Sequence, residues 1–283
     1  REYSADWDKW RAWCAERSIS PLPAEPAAIA AWLAFQAQAG IRPSTITRRL
    51  AALRYAHKLA GFTEPPTNTE LVRSTLRGIR RSLGTAPDQK APATAQVVAS
   101  MLAQCPSTLI GTRDRALLAL GFAGAFRRSE LVALQVEDLA ECADGLRVTI
   151  RRSKTDQEGA GQSVAILRGV KICPAEAVQT WLARAEISTG PVFRSVLKGG
   201  RLGGKLPAQT VALVVKNYAV AAGLDPRGFS GHSLRAGFCT SAAEHGASVW
   251  KMMDVTRHKS VDTLRGYVRN AESFKDHAGA AFL

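Results

Sequence analysis

The chain has 283 residues, of which 46% are hydrophobic and 22% charged, the balance of a folded globular protein rather than a disordered one. Its longest apolar run, Ala116 to Phe126, is eleven residues, short of the about 20 that a membrane-spanning helix needs. With 38 Lys+Arg against 24 Asp+Glu the net charge is +14, which points to a polyanionic partner, either nucleic acid or an anionic membrane surface.

Residues 1–83 read as helical throughout. Ser4 is placed to cap a first helix carrying Trp7, Trp10 and Trp13. Pro26 suits the first turn of a second helix, which runs to about Ala39 and stops at Gly40. A third opens after Pro43 and ends at Gly61, and a fourth opens near Asn68 and ends at Gly84. Between Arg42 and Arg81 stand nine Lys+Arg and two acids, so this stretch holds half of the net charge. In the third helix Ile46, Leu50 and Leu53 share one face, with Thr45, Arg48, Ala52 and Tyr55 on the other side. In the fourth, Val72, Leu76, Ile79 and Leu83 lie opposite Arg73, Arg77, Arg80 and Arg81. Such a stripe suits a phosphate backbone. With Arg42, Ser44 and Arg49, these polar residues are the candidate DNA contacts. A merely solvated basic face is the ordinary alternative. A membrane-surface helix is disfavoured, because successive apolar faces describe a packed bundle.

Residues 84–94 hold two prolines, a glycine and no large apolar side chain, which reads as a linker. Beyond it the sequence predicts a mostly helical domain over 95–269 with one small sheet. Val148 and Ile150, then Val164 and Ile166, alternate with polar residues around a turn at Gly159-Ala160-Gly161, the pattern of a β-hairpin. Helices are expected at about 111–124, 174–187, 207–222, 233–245, 248–254 and 260–268. Residues 270–283 form a tail with an apolar ending. The cysteines, Cys14, Cys105, Cys142, Cys173 and Cys239, are odd in number and include no C-x-x-C pair. That composition fits a reducing compartment, without a disulfide framework or a cysteine zinc site.

Four places in this domain set polar residues in unusual company. They are Arg127-Arg128-Ser129-Glu130-Leu131, Lys154 beside the hairpin turn, His232-Ser233-Leu234-Arg235, and Arg257-His258 followed by Tyr267. Singly each has an ordinary explanation: an ion pair of Arg127 with Glu130, a solvated lysine, a capping or core histidine, a surface tyrosine. In order they resemble the tyrosine recombinase family, also called the phage integrase family. His232-x-x-Arg235, His258 twenty-three residues later and Tyr267 nine further on carry most of the resemblance. Gly231 and the Arg-x-Ser-Glu-Leu at 127–131 also fit, and that spacing favours Arg127 over Arg128 as the first arginine. Two positions depart from the family pattern. Gly124-Ala125-Phe126 stands where Thr-Gly-Leu is usual, and Arg257 stands where glycine is usual.

The resemblance implies a mainly α protein with a small β-sheet, a helical core-binding domain joined to an α+β catalytic domain, closing as a C-shaped clamp around DNA. It is most like the simple Cre-like and Xer-like recombinases, since no additional arm-binding domain precedes the core-binding domain. Arg127 and Arg235 are then expected to hold the non-bridging phosphate oxygens. Tyr267 is the nucleophile and forms a 3′-phosphotyrosyl link, with Lys154 as general acid for the leaving 5′-oxygen. His232 assists as base or hydrogen-bond partner, His258 donates to a non-bridging oxygen, Glu130 orients the arginine and histidine side chains, and Arg257 is available as a further phosphate contact. No metal, ATP or other cofactor is expected. The partner is double-stranded DNA with inverted-repeat half-sites, bound by a homotetramer that is monomeric in solution, in the cytoplasm of a prokaryote and associated with its nucleoid. The tail is expected to dock in trans on a neighbouring protomer. A type IB topoisomerase-like relaxing enzyme and a non-catalytic DNA-binding protein on the same scaffold stay open as alternatives.

Overall fold

Prolines open two of the four N-terminal helices, as their fixed φ and missing N–H allow. In the computed structural model, which describes residues 2–86, 90–151 and 161–271, the chain divides into two units, Arg1–Asp88 and Gln89–Leu283. The first contains α1 (Glu2–Ala15), α2 (Pro26–Gln38), α3 (Pro43–Leu59) and α4 (Glu70–Leu83). Helix α1 packs on α3, and α2 on α4. Trp10 is fully buried, stacked on Trp13 at 5.5 Å and edge-on to Trp32 at 5.2 Å. Its indole N–H donates to the Pro21 carbonyl at 3.0 Å, so the polar end of the ring is satisfied inside the core. Ile29, Leu33, Ile46, Leu50, Leu53 and Val72 complete that core, each adding about 1.5–3 kcal/mol of burial. Three expectations change. Ser4 lies inside α1 rather than capping it. Ala52, expected on the polar face of α3, is buried, because a methyl group fits where helices cross. Leu83, the last residue of α4, is exposed.

The second unit is built around α6 (Leu109–Ala123), buried on nearly every side from Gly111 to Phe122. Thr108 caps it by accepting from the Gly111 N–H at 3.2 Å. Helices α5 (Ala95–Ala103), α8 (Pro174–Arg184), α9 (Ala208–Ala221) and α10 (Ser233–Glu244) pack on α6. The four-residue helix α7 (Arg128–Leu131) follows directly from α6. The hairpin is β2 (Gly145–Ile150) and β3 (Gln162–Leu167), antiparallel, with Val148 opposite Val164 and Leu146 opposite Ile166. A third strand, β1 (Leu139–Cys142), extends it in the order β1-β2-β3. A two-stranded ribbon of β4 (Arg194–Val196) and β5 (Leu202–Lys205) lies apart from it in sequence. Helices α11 (Val249–Thr256) and α12 (Val261–Ala271) complete the unit.

The linker ends earlier than its composition suggests. Ala91 and Ala93 donate their N–H groups to the Gly228 and Ser233 carbonyls at 2.7 and 2.9 Å, and Ala93 is fully buried. Gly237 permits this close approach, because a Cβ there would lie 1.7 Å from the Ala93 carbonyl oxygen. The segment thus braces the helix that carries Arg235. All five cysteines are free thiols. Among the described residues no helix is long and apolar enough to cross a membrane.

Candidate active site

The site is assembled from the α6–α7 turn, the start of α10, the loop after α11, and α12. Arg127 is the residue just before α7, and Glu130 reaches back over that first turn. One Glu130 oxygen accepts from the Arg127 backbone N–H at 3.0 Å, and the other from its guanidinium at 2.6 Å. Burial works to raise the Glu130 carboxyl, but the Arg127 hydrogen bonds and the Arg257 and Arg127 charges outweigh it, so the group lies below the ordinary carboxylate value. Arg128 is exposed, whereas Arg127 is partly buried and paired with Glu130.

His232 and Arg235 come from the N-terminal end of α10. Ser230 and Ser233 fix that end, with the Ser230 N–H donating to Ser233 Oγ at 3.0 Å and the His232 N–H to Ser230 Oγ at 3.2 Å. One turn later Arg235 is 1% exposed. One guanidinium nitrogen donates to the Ala125 carbonyl at 2.7 Å, while its Nη2 is buried without a hydrogen-bond partner among the described residues. A buried unpaired donor of a cationic group is costly, and it is well suited to receive an anion's oxygen. Burial, then the Arg127 and Arg257 charges, lower Arg235 to about 10, so it remains cationic at neutral pH.

The two departures from the family pattern turn out to share a backbone conformation. Ala125 has φ +44° and Arg257 φ +59°, both left-handed, where a glycine avoids a penalty of roughly 1–2 kcal/mol. Arg257 was expected to touch phosphate. Instead its side chain is 3% exposed and turned inward. Nη1 donates to the Gly124 and Val255 carbonyls at 3.0 and 2.6 Å. Nη2 donates to Glu130 at 3.0 Å and to the Ala125 carbonyl at 3.3 Å. The left-handed turn that ends α11 aims the side chain into the protein, so both Nη nitrogens are engaged by protein groups, while Nε is buried without a hydrogen-bond partner among the described residues.

His258, the next residue, has Nδ1 2.9 Å from the hydroxyl of the fully buried Thr256. Burial, then the Arg235 and Arg127 charges, push His258 down to about 4. The same causes, burial followed by Arg235 and Arg127, lower His232. Both rings are therefore neutral at pH 7. Tyr267 lies half-buried on α12, packed with Val268 against Cys239, Ala243, Met252 and Leu264. Burial and Cys239 raise its phenol, while the Arg235 charge opposes them. The Arg235 charge thus acts on His232, His258 and Tyr267 alike. Lys154 lies outside the described residues, as does the tail after Ala271. Sequence reasoning missed Thr256 and the Ala125 carbonyl. Neither has a chemical signature, since one is a hydroxyl among many and the other is backbone.

The candidate DNA contacts divide into two groups. Arg42, Ser44, Tyr55, Arg73, Arg77, Arg80 and Arg81 are exposed, and Thr45 is partly buried. Arg77 pairs with Glu70, Arg80 donates to Thr47 at 3.2 Å, and Tyr55 leans on Tyr3 at 5.8 Å. Arg48 and Arg49 instead converge on Asp6, which is 1% exposed. Arg49, 13% exposed, also donates to the buried Gln36 at 2.7 Å. Its guanidinium holds α1, α2 and α3 together rather than facing a partner, unlike the expectation for it. Arg81→Ala should leave stability unchanged and reduce the salt slope of DNA binding by about one. Arg49→Ala should do the reverse, costing about 1.5–3 kcal/mol of stability in thermal unfolding with little change in slope.

Residues 93–273 match the model of the phage integrase family. An integrase/recombinase XerD homologue of Selenomonas ruminantium is 38% identical over 286 residues, covering 98% of this chain and 83% of that protein. The tyrosine recombinase XerD of Xanthomonas axonopodis pv. citri is 28% identical, covering 87% and 78%. Among solved structures, the XerH site-specific recombinase in a post-cleavage complex with palindromic difH substrate superposes with a TM-score of 0.65 at 17% identity, covering 89% of this chain and 73% of that one. The Tn1549 transposon integrase in complex with transposon right end DNA gives a TM-score of 0.62 at 14% identity, covering 88% and 84%. The family match and the 38% identical relative establish that the chain belongs to the phage integrase family and is a tyrosine recombinase.

Proposed function

We propose that the chain cuts and rejoins double-stranded DNA at a specific site through a covalent bond to Tyr267. The observation that carries this reading is the Arg235 guanidinium, 1% exposed with Nη2 unpartnered among the described residues, in the electrostatic neighbourhood of Arg127, His232, His258 and Tyr267. A phosphodiester placed there gives Arg235 the acceptor it lacks, and Arg127 and Arg235 together balance the charge that builds up on a pentacoordinate phosphorus. Tyr267 Oη attacks phosphorus, its proton passes to His232, and the bond to the 5′-oxygen breaks as Lys154 protonates that oxygen. The product is a 3′-phosphotyrosyl link and a free 5′-hydroxyl. Attack by a 5′-hydroxyl reverses the step, so the one site both cleaves and joins. His258 donates to a non-bridging oxygen, held in place by Thr256. Fixed guanidiniums supply the charge stabilisation, so the reaction is proposed to run without metal or ATP.

Four protomers on two inverted-repeat sites exchange strands, and the tail after Asn270 docks in trans to couple assembly to activity. The test pairs the full chain with one ending at Asn270, on supercoiled plasmid carrying two cleavage sites and on plasmid carrying none. The full chain should recombine the first and leave the second supercoiled, and the shortened chain should bind single half-sites without forming synaptic complexes. Relaxation of the plasmid without sites would contradict site-specific action and favour the topoisomerase-like alternative. Normal synapsis by the shortened chain would sink the tail's role.

A further inference from the structure

We propose that Arg257 is a positioning residue for strand cleavage, a clamp that fixes the loop bearing His258 to the turn bearing Arg127. This rests on the function proposed above and adds to it a residue at a position where the family usually carries glycine. The geometry argues for selection of the side chain rather than of the backbone turn. A turn at φ +59° is served best by glycine, which adopts it without steric penalty. Arginine here accepts that penalty, and its guanidinium then makes four hydrogen bonds to groups of the site. Two go to the carbonyls of Gly124 and Ala125, in the turn that leads to Arg127. One goes to Glu130, whose other oxygen holds the Arg127 guanidinium at 2.6 Å. The fourth, to Val255, ties the side chain to the end of its own helix. The guanidinium also lies 5.1 Å from the Phe126 ring centre, a cation–π arrangement.

The Ala125 carbonyl is the point of convergence. It accepts from Arg257 and, at 2.7 Å, from Arg235. Ala125 itself has φ +44° and is fully buried. The two positions where glycine is usual are therefore both left-handed here, occupied by other residues, and bonded to each other. Rigidity supplied by side-chain hydrogen bonds takes the place of backbone freedom, and its beneficiaries are Arg127, Arg235 and His258. Small displacements of such groups are expensive in rate, since catalysis depends on their alignment with the phosphate.

The discriminating variant is Arg257→Gly, which restores the residue best suited to the turn and removes the clamp. Cleavage is read as single-turnover adduct formation on a nicked suicide substrate at saturating protein, and half-site affinity is read separately. Arg257→Gly should fold, bind the half-site within about threefold of the unsubstituted chain, and cleave about 10- to 100-fold more slowly. Arg257→Lys, which keeps the charge but not the fork, should remain slow. Cleavage by Arg257→Gly at the unsubstituted rate would overturn the proposal and leave Arg257 a tolerated helix end. A loss confined to affinity would equally overturn it and return the residue to phosphate contact. Absence of adduct from the unsubstituted chain would instead overturn the functional reading on which the proposal rests.

Discussion

Tyr267→Phe should bind DNA with undiminished affinity and yield no covalent product, a loss of at least about 10⁴-fold relative to the unsubstituted chain. The substitution removes one oxygen from a side chain packed against Cys239, Ala243, Met252 and Leu264, so the ring continues to fill its place and α12 stays docked on α10. The phosphate-binding groups are untouched. Arg127, Arg235 and the two histidines belong to other elements, and none depends on the phenol for a hydrogen bond. Binding and chemistry should therefore separate cleanly, with SDS-resistant complexes counted on one side and half-site affinity on the other. Any adduct from Tyr267→Phe above background would show that another residue is the nucleophile. Tyr218, a buried tyrosine, is a poor substitute, since burial and Asp114 hold its phenol well above the usual value and its hydroxyl donates to Asp114 at 3.3 Å.

Glu130→Ala should cost more stability than any other single change at the site. The Glu130 side chain is 2% exposed and accepts from the Arg127 and Arg257 guanidiniums and from one backbone N–H. Removing it leaves buried cations facing one another, with Arg235 close by, a situation that costs about 3–5 kcal/mol. In a unit of this size that lowers Tm by roughly 6–20 °C, at about 2–4 °C per kcal/mol. Glu130→Gln keeps an acceptor and should fall between. The sign of the pH dependence follows from the lowered carboxyl. Its folded value lies below its unfolded one, so its contribution is complete above the unfolded value and is lost as pH falls through the folded one. The stability gap between the unsubstituted chain and Glu130→Gln should hold constant near neutrality and close only below about pH 4.3. A gap that widened on acidification would contradict the ion-paired carboxylate described here.

Much of this architecture is legible in the residues. Pro26, Pro43, Gly40, Gly61 and Gly84 bracket helices, because proline and glycine act through local backbone geometry that tertiary contacts rarely override. The hairpin is visible because one of its faces is buried and its side chains alternate. The ribbon of β4 and β5 escapes notice, since Leu202-Gly203-Gly204-Lys205 holds few strand-forming residues and its pairing depends on the surrounding fold. Helix α5 is missed because Thr94, its cap, closes a proline-rich stretch that reads as linker. The candidate catalytic residues stand out as an ordered motif, and the structure draws them from the α6–α7 turn, the start of α10, the loop after α11 and α12, with Lys154 outside the described residues. Charge alone misleads at two arginines. Arg49 and Arg257 look like surface cations, yet Asp6 and Gln36 draw one inward and a left-handed turn aims the other at Glu130. Neither pairing has a sequence spacing that would announce it.

The most direct measurement is covalent capture. The protein is mixed with fragmented DNA from its native source in EDTA, stopped with SDS, and the attached DNA is sequenced, with Tyr267→Phe as the control. The expected result is adducts at one inverted-repeat sequence, formed without metal and absent from the control. Adducts scattered over many sequences, or none at all while DNA binding stays intact, would contradict a site-specific recombinase acting through Tyr267.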